Sequence, residues 1–259
     1  MKADTRLACA LRPAANSECR APSEALDMIV LHYTGMESSE AALDWLCAAQ
    51  SRVSCHYFVF EDGRIVQMVP EDRRAWHAGV SCWRGRRDVN SRSVGIEIAN
   101  PGHEFGYPPF PEPQMAAVVA LCADIAGRRA IPARNIVAHS DVAPTRKRDP
   151  GEKFDWARLH AAGVGHWVEP EPIADGPALR AGDRDEAVVA LRAKLAAYGY
   201  GIDAGGAYDE ATVAVVTAFQ RHFRPARVDG IADPSTRATL DRLVAALAGT
   251  RAETFRNTS

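Results

Sequence analysis

Residues 138–151 read Ala-His-Ser-Asp-Val-Ala-Pro-Thr-Arg-Lys-Arg-Asp-Pro-Gly. Within eleven residues of loop-like sequence they set an imidazole (His139), an ammonium (Lys147) and a carboxylate (Asp149). Hydrolysis at a zinc centre uses those three kinds of group: a nitrogen ligand, an oxygen ligand and a cation to hold developing negative charge. A catalytic zinc needs about three protein ligands and an open position. His32 supplies the third. It ends the apolar run Met28-Ile29-Val30-Leu31 and precedes the turn Tyr33-Thr34-Gly35, so it projects from a sheet edge into a cleft. Two His and one Asp suit Zn2+, a borderline-soft ion. Glu97 is the fourth element, a single charge inside the apolar run Val94–Ala99. Burying a carboxylate unpaired is costly, and a place facing the reacting water, as general base, accounts for it. Lys147 then steadies the oxyanion of a tetrahedral intermediate.

The elements that must position these groups are legible as a mixture. Strands are predicted at Asp27–Tyr33, Cys55–Phe60, Arg64–Val69, Val94–Ala99 and Asn135–Ala138. The second and third are joined by Glu61-Asp62-Gly63, a hairpin turn. Helical spacing covers Ser39–Gln50, Glu112–Arg129 and Phe154–His160; in the second, Ala117, Val118, Leu121, Cys122 and Ile125 share a face. The expected class is α/β, a mixed central β-sheet flanked by helices. Residues 169–175, Glu-Pro-Glu-Pro-Ile-Ala-Asp, read as an extended, solvated linker. Beyond it come helical segments at 183–198, 209–223 and 234–248, with Asp183, Asp209 and Asp233 as N-caps and Pro234 at the first helical position. The expected organisation is a catalytic domain over 1–168, the linker 169–175, a small three-helix domain over 176–249 and a polar tail over 250–259.

Bulk properties narrow the function class. The 259 residues carry a formal net charge of −2 with 25% charged residues, which excludes a nucleic-acid footprint. An apolar content of 47% suffices for a real core. No apolar run approaches the roughly 20 residues that span a bilayer. Residues 1–22 are broken by Lys2, Asp4, Arg6, Arg12 and Arg20 and lack the apolar stretch of a secretory signal, and Leu7-Ala8-Cys9 lacks the apolar stretch that precedes a lipoprotein cleavage site. A cytoplasmic protein is expected, with the periplasm as the alternative. None of the six cysteines forms a C-x-x-C pair, which fits free thiols in a reducing compartment. His103, His160, His166 and His222 read as packing residues, and Tyr208 and Phe219 as core.

Five segments occur in order: Leu31-His32-Tyr33-Thr34-Gly35, Ser54-Cys55-His56-Tyr57, Trp76-His77-Ala78-Gly79, Ser93-Val94-Gly95-Ile96-Glu97-Ile98, and His139-Ser140-Asp141-Val142-Ala143-Pro144 continuing to Lys147 and Asp149-Pro150-Gly151. Together they resemble the zinc-dependent N-acetylmuramoyl-L-alanine amidases of the type 2 amidase family, related to phage T7-type lysozymes and peptidoglycan recognition proteins. The resemblance covers about 27–168. It implies that fold, zinc ligation by His32, His139 and Asp149, Glu97 as catalytic base and Lys147 as the transition-state cation. It implies cleavage of the amide between the lactyl group of N-acetylmuramic acid, or its 1,6-anhydro form, and L-alanine of the stem peptide, in peptidoglycan recycling or turnover. Trp76 and His77 are expected to line the substrate groove, and His56 to be structural. The phage and recognition-protein branch has a Tyr where Cys55 stands, which points to the AmpD/AmiD-like recycling branch. The C-terminal segment resembles the type 1 peptidoglycan-binding domain through Leu179-Arg180-Ala181-Gly182-Asp183, Tyr198-Gly199-Tyr200, Ala218-Phe219-Gln220 and Asp229-Gly230-Ile231-Ala232-Asp233-Pro234, with Asp233 where Gly is common. Peptidoglycan fragments or polymer are the expected partners, with no protein partner. The alternatives are a non-catalytic peptidoglycan-binding or sensing protein and a phage-type endolysin acting on polymeric wall.

Overall fold

A computed structural model describes residues 1–7, 9–22 and 24–256, with side chains as far as residue 247. In chain order the elements are β1 (Cys9–Leu11), β2 (Ser17–Cys19), β3 (Met28–Tyr33), α1 (Ser39–Cys47), β4 (Tyr57–Val59), β5 (Ile65–Gln67), β6 (Arg73–Ala75), α2 (Val89–Arg92), β7 (Ser93–Ile98), α3 (Glu112–Arg129), β8 (Ile136–Ala138), α4 (His139–Val142) and α5 (Trp156–Ala161). The helical region adds α6 (Glu186–Tyr198), α7 (Glu210–Phe223) and α8 (Pro234–Arg256).

One mixed sheet runs β1-β5-β4-β7-β3-β8, and β2 pairs separately with β6. At its centre β3 lies parallel to both β7 and β8. A strand buried on both faces must be apolar throughout, which is why Met28-Ile29-Val30-Leu31 shows no alternation. Alternate residues nonetheless serve different layers. Ile29 and Leu31, with Val94, Ile96 and Ile98 of β7, pack on one side with Val118, Leu121, Cys122 and Ile125 of α3. Met28 and Val30 face the other way.

That second face is covered by the helical region. Met28, Val30 and Val137 share one core with Trp83, Leu195, Tyr198, Tyr200, Phe219 and Phe223, so α6 and α7 are packed onto the sheet rather than tethered to it. Trp83 is fully buried, with its ring edge-on to Tyr198 and Tyr200. Gly199, at a φ of 148°, allows this approach: a Cβ there would lie 2.8 Å from the Trp83 ring. The 169–175 segment is irregular, as expected, but it is pinned: Glu171 N–H donates to Thr239 Oγ1 at 3.0 Å and its carbonyl accepts from Ser235 Oγ at 2.6 Å.

Other expectations shift locally. Asp185, not Asp183, caps α6, accepting from Val188 N–H at 3.0 Å; Asp183 instead closes the preceding turn on Arg180 N–H. Asp209 and Asp233 cap α7 and α8 as expected. Asp233, in place of the common Gly, also binds the buried Arg224 guanidinium. The last helix continues past 248, so the 250–259 tail is helical backbone to Arg256, and 257–259 lie outside the described residues. Strands β1, β2 and β6 do not follow from the sequence: unlike the equally short but fully buried β4, β5 and β8, they are mostly half-buried or exposed and show no buried apolar run.

Away from the site, Glu71 ties the end of α3 to the sheet. Its fully buried carboxylate accepts from Tyr57 Oη at 2.7 Å and from both Arg128 and Arg129. Burial alone would raise this carboxyl, but the donors of Arg128, Tyr57 and Arg129 outweigh it and hold it at about 2. A depressed carboxylate stabilises the fold above its unfolded pKa, near 4.3, and that stability is lost as pH falls toward 2. Wild-type protein should therefore lose up to about 3 kcal/mol more than Glu71→Gln between pH 5 and pH 2. Denaturant melts at both pH values check this, and parallel losses in the two proteins would refute it.

Candidate metal centre

The register of three parallel strands brings the predicted residues together. His32 of β3 sits beside Glu97 of β7, and Leu31 beside Ala138 of β8, so His139 follows at the level of His32. All lie at the carboxyl ends of the strands, where open α/β sheets place their ligands. On the same face, one and two pleats back from Glu97, β7 carries only Gly95 and Ser93. Those small side chains leave room for the buried imidazole of His77: a Cβ on Gly95 would lie 2.5 Å from that ring.

His32 Nδ1, His139 Nδ1 and Asp149 Oδ2 form a triangle with sides of 2.8, 3.2 and 3.0 Å. The surrounding partners decide which atoms carry protons. Ser93 Oγ donates to the Val89 carbonyl at 2.6 Å, so it accepts from His77 Nε2 at 3.1 Å. His77 Nδ1 is then an acceptor, and His32 Nε2 donates to it at 3.0 Å. His139 Nε2 faces the Ala78 carbonyl at 3.2 Å, which can only accept. Both Nδ1 atoms therefore aim lone pairs at one point, where Asp149 adds a carboxylate oxygen. Three lone-pair donors converge with no proton between them. Neutral imidazoles and a carboxylate are the ligand set of a divalent metal, and a tetrahedral zinc with ligands at about 2.1 Å would hold its donors roughly 3.4 Å apart. The residues present fit such an ion.

Electrostatics agree with that protonation. Burial, reinforced by His139, lowers the His32 pKa to about 4. Burial and the neighbouring His32 push His77 well below its ordinary value. Burial alone would raise Asp149, but the His139 and His32 imidazoles hold it far below the usual carboxylate range. Glu97 moves the other way: burial, then the Asp149 charge, raise its carboxyl well above normal. Its Oε2 is shut off from solvent and has no hydrogen-bond partner among the described residues.

The triangle and Glu97 line a cavity of about 520 Å³. Lys147 lies exposed at its rim. One wall is apolar, with Met36, Trp45, Leu46, Val53 and Trp76, and Trp45 is 46% exposed. Trp76 lines this cavity. His77 lines it too, at the floor, with both ring nitrogens engaged, Nδ1 by His32 and Nε2 by Ser93. His56 lies one ring deeper, its Nδ1 accepting from Gly95 N–H at 2.9 Å, and Cys55 is fully buried.

The sequence reading missed three contributors. Ser93 and Gly95 could have been found, because they alternate with Glu97 on one face of a strand. The Ala78 carbonyl could not; it is held by Arg146 Nη2 at 3.1 Å across 68 residues. His222 and His103 are more than packing residues. His222 Nδ1 meets Asp141 Oδ2 at 2.7 Å, while His103 joins Tyr33 Oη at 2.9 Å to Glu152.

Residues 22–152 match the family described as N-acetylmuramoyl-L-alanine amidase, and residues 184–240 the family described as putative peptidoglycan binding domain. The chain is 37% identical over 233 residues to the N-acetylmuramoyl-L-alanine amidase AmiD of Escherichia coli K12, covering 85% of this chain and 82% of that protein. It is 36% identical over 164 residues to the 1,6-anhydro-N-acetylmuramyl-L-alanine amidase AmpD of the same organism, covering 57% of this chain and 87% of that protein. A solved complex of E. coli AmiD with anhydro-N-acetylmuramic acid-L-Ala-D-γ-Glu-L-Lys has the same fold, with a TM-score of 0.73 at 34% identity over 87% of this chain and 92% of that one. AmpDh3 from Pseudomonas aeruginosa gives a TM-score of 0.69 at 30% identity, covering 90% of this chain and 97% of that one.

Proposed function

The chain belongs to the N-acetylmuramoyl-L-alanine amidase family, and on that premise we propose that His32, His139 and Asp149 hold a zinc ion at which muropeptides are hydrolysed. The observation that carries this reading is the convergence of His32 Nδ1, His139 Nδ1 and Asp149 Oδ2 within 2.8 to 3.2 Å of one another, in the cavity that Glu97 also lines. When bound there, zinc supplies Lewis-acid polarisation of the scissile carbonyl and acidifies a water. Glu97 takes a proton from the attacking water as its oxygen bonds to the lactyl carbonyl carbon. The same carboxyl, its pKa raised by burial, returns that proton to the amide nitrogen as the C–N bond breaks, releasing the amine of L-alanine. Lys147, at the cavity rim, offsets the negative charge on the carbonyl oxygen.

His77 and Ser93 are positioning residues in this scheme, because they fix the tautomer of His32. Ser93→Ala should weaken zinc binding about tenfold, as read by competition with a chromophoric chelator. Unchanged affinity would remove the relay from the account.

The substrate form we favour is the soluble 1,6-anhydro-muropeptide. Support comes from AmiD and AmpDh3, relatives matched along both regions of this chain, whose solved complexes carry anhydro-muramoyl peptides. For its location we favour the cytoplasm, because the unpaired thiols suit a reducing compartment. Recovery of the protein in a periplasmic fraction would overturn that placement. Polymeric peptidoglycan is the second reading, favoured by the match of 184–240 to a peptidoglycan-binding family. Purified protein should release stem peptide from anhydro-muropeptides with a higher kcat/KM than from intact sacculi; the reverse order would overturn the assignment.

A further inference from the structure

We propose that the helical region completes the metal site through Asp141, a positioning residue whose carboxylate is held by Tyr200 and His222. The proposal rests on the reading of His139 and Asp149 as ligands.

The short helix α4 is the hub of that site. His139 is its first residue. Ser140 N–H donates to the Asp149 carbonyl at 3.0 Å, and Lys147 N–H to the Ala143 carbonyl at 3.0 Å. The pose of α4 thus sets both an imidazole and a carboxylate of the triangle, and the base of the segment that carries the rim cation. Four residues are too few to hold a helix by its own hydrogen bonds, so the pose must come from outside.

Asp141 supplies it. The side chain is fully buried. Its Oδ2 accepts from Ala138 N–H at 2.8 Å, clamping the backbone on both sides of His139. Two further donors come from across the interface. Tyr200 Oη donates to Oδ1 at 2.7 Å, and His222 Nδ1 to Oδ2 at 2.7 Å. His222 is itself fixed, stacked between Trp156 and Phe223 with ring centroids 3.7 Å from each. A fully buried carboxylate deprived of one such donor keeps its desolvation cost and seeks another partner, and the backbone it drags is that of the ligand segment. The helical region is therefore part of the catalytic machinery's support, independently of any glycan it binds.

The test uses the full-length zinc protein. Tyr200→Phe removes one oxygen from the Asp141 network. Tyr198→Phe is the control: it removes a hydroxyl from the same buried interface, but that hydroxyl pairs with His166 Nδ1 at 2.9 Å. Zinc affinity by chelator competition, the visible band of the cobalt-substituted protein, and kcat and KM are measured on both. Tyr200→Phe should raise the zinc dissociation constant about three- to tenfold, shift the cobalt band and lower kcat with KM retained, while Tyr198→Phe leaves all four as in wild type. His222→Leu should follow Tyr200→Phe, and His222→Asn, which keeps a donor near the place of Nδ1, should recover part of the loss. Wild-type affinity and an unshifted band in Tyr200→Phe, or equal changes in Tyr198→Phe, overturn the proposal. His139→Ala separates the underlying reading: if it still binds one zinc per chain, the ligand assignment itself is wrong.

Discussion

Glu97→Gln should cut turnover about a thousandfold, within the range of general acid–base catalysis, while KM and zinc content stay near wild type. The amide keeps the shape of the carboxylate but cannot take a proton from water. Because Glu97 Oε2 has no partner to lose, the substitution breaks no structural bond. Stability provides a second, independent readout. A carboxyl whose folded pKa is raised contributes fully below its unfolded pKa, and that contribution is lost as pH rises through the folded value. In metal-free protein, Glu97→Gln should therefore melt with wild type near pH 4 and above it near pH 8. A variant that keeps wild-type turnover sinks the general-base role. A melting difference of the opposite sign sinks the claim of an unpaired buried acid.

Removing the metal should abolish hydrolysis, and one equivalent of zinc per chain should restore it. The effect reaches beyond chemistry, because without a cation the His32 and His139 lone pairs face each other and a carboxylate across 2.8 to 3.2 Å. Burial opposes relief of that repulsion by protonation of His32. An ion present at a thousand times its dissociation constant stabilises the folded state by about 4 kcal/mol. For a chain of this size that corresponds to a melting temperature roughly 10 °C higher in holo than in apo protein. Calorimetry with metal analysis on the same samples measures both. Activity that survives in metal-free protein, or equal melting of the two forms, sinks the metal centre.

What could be read from the chain alone follows from how locally each feature is encoded. Met28-Ile29-Val30-Leu31 announces a strand buried on both faces without knowledge of its neighbours. The helix α3 over Glu112–Arg129 is legible because Ala117, Val118, Leu121, Cys122 and Ile125 recur at helical spacing and Pro113 stands near its start, where proline is tolerated. Glu97 stands out because a charge in an apolar strand is anomalous. The cap of α6 was misplaced by two residues because Asp183 and Asp185 both have the chemistry of a cap, and only the backbone chooses between them. The Asp141 network spans 59 residues to Tyr200 and 81 to His222, and no periodicity encodes such a meeting. His77 shows a related limit: its neighbours in sequence point to the groove, which it lines, while its hydrogen bonds to His32 and Ser93 depend on residues 45 and 16 positions away.

The two matched regions look in sequence like interchangeable cassettes joined by a proline-rich strap. The common core of Met28, Val30, Val137 and Trp83 with Tyr198, Tyr200 and Phe219 denies the molecule that modularity. Excising residues 176–259 would uncover an apolar sheet face and an indole that is now wholly dry, a surface that invites self-association. Evolution can therefore exchange this C-terminal region only by rewriting the catalytic half as well. The pair should be inherited together, with substitutions at Trp83 and Gly199 matched across the seam, rather than shuffled as independent parts.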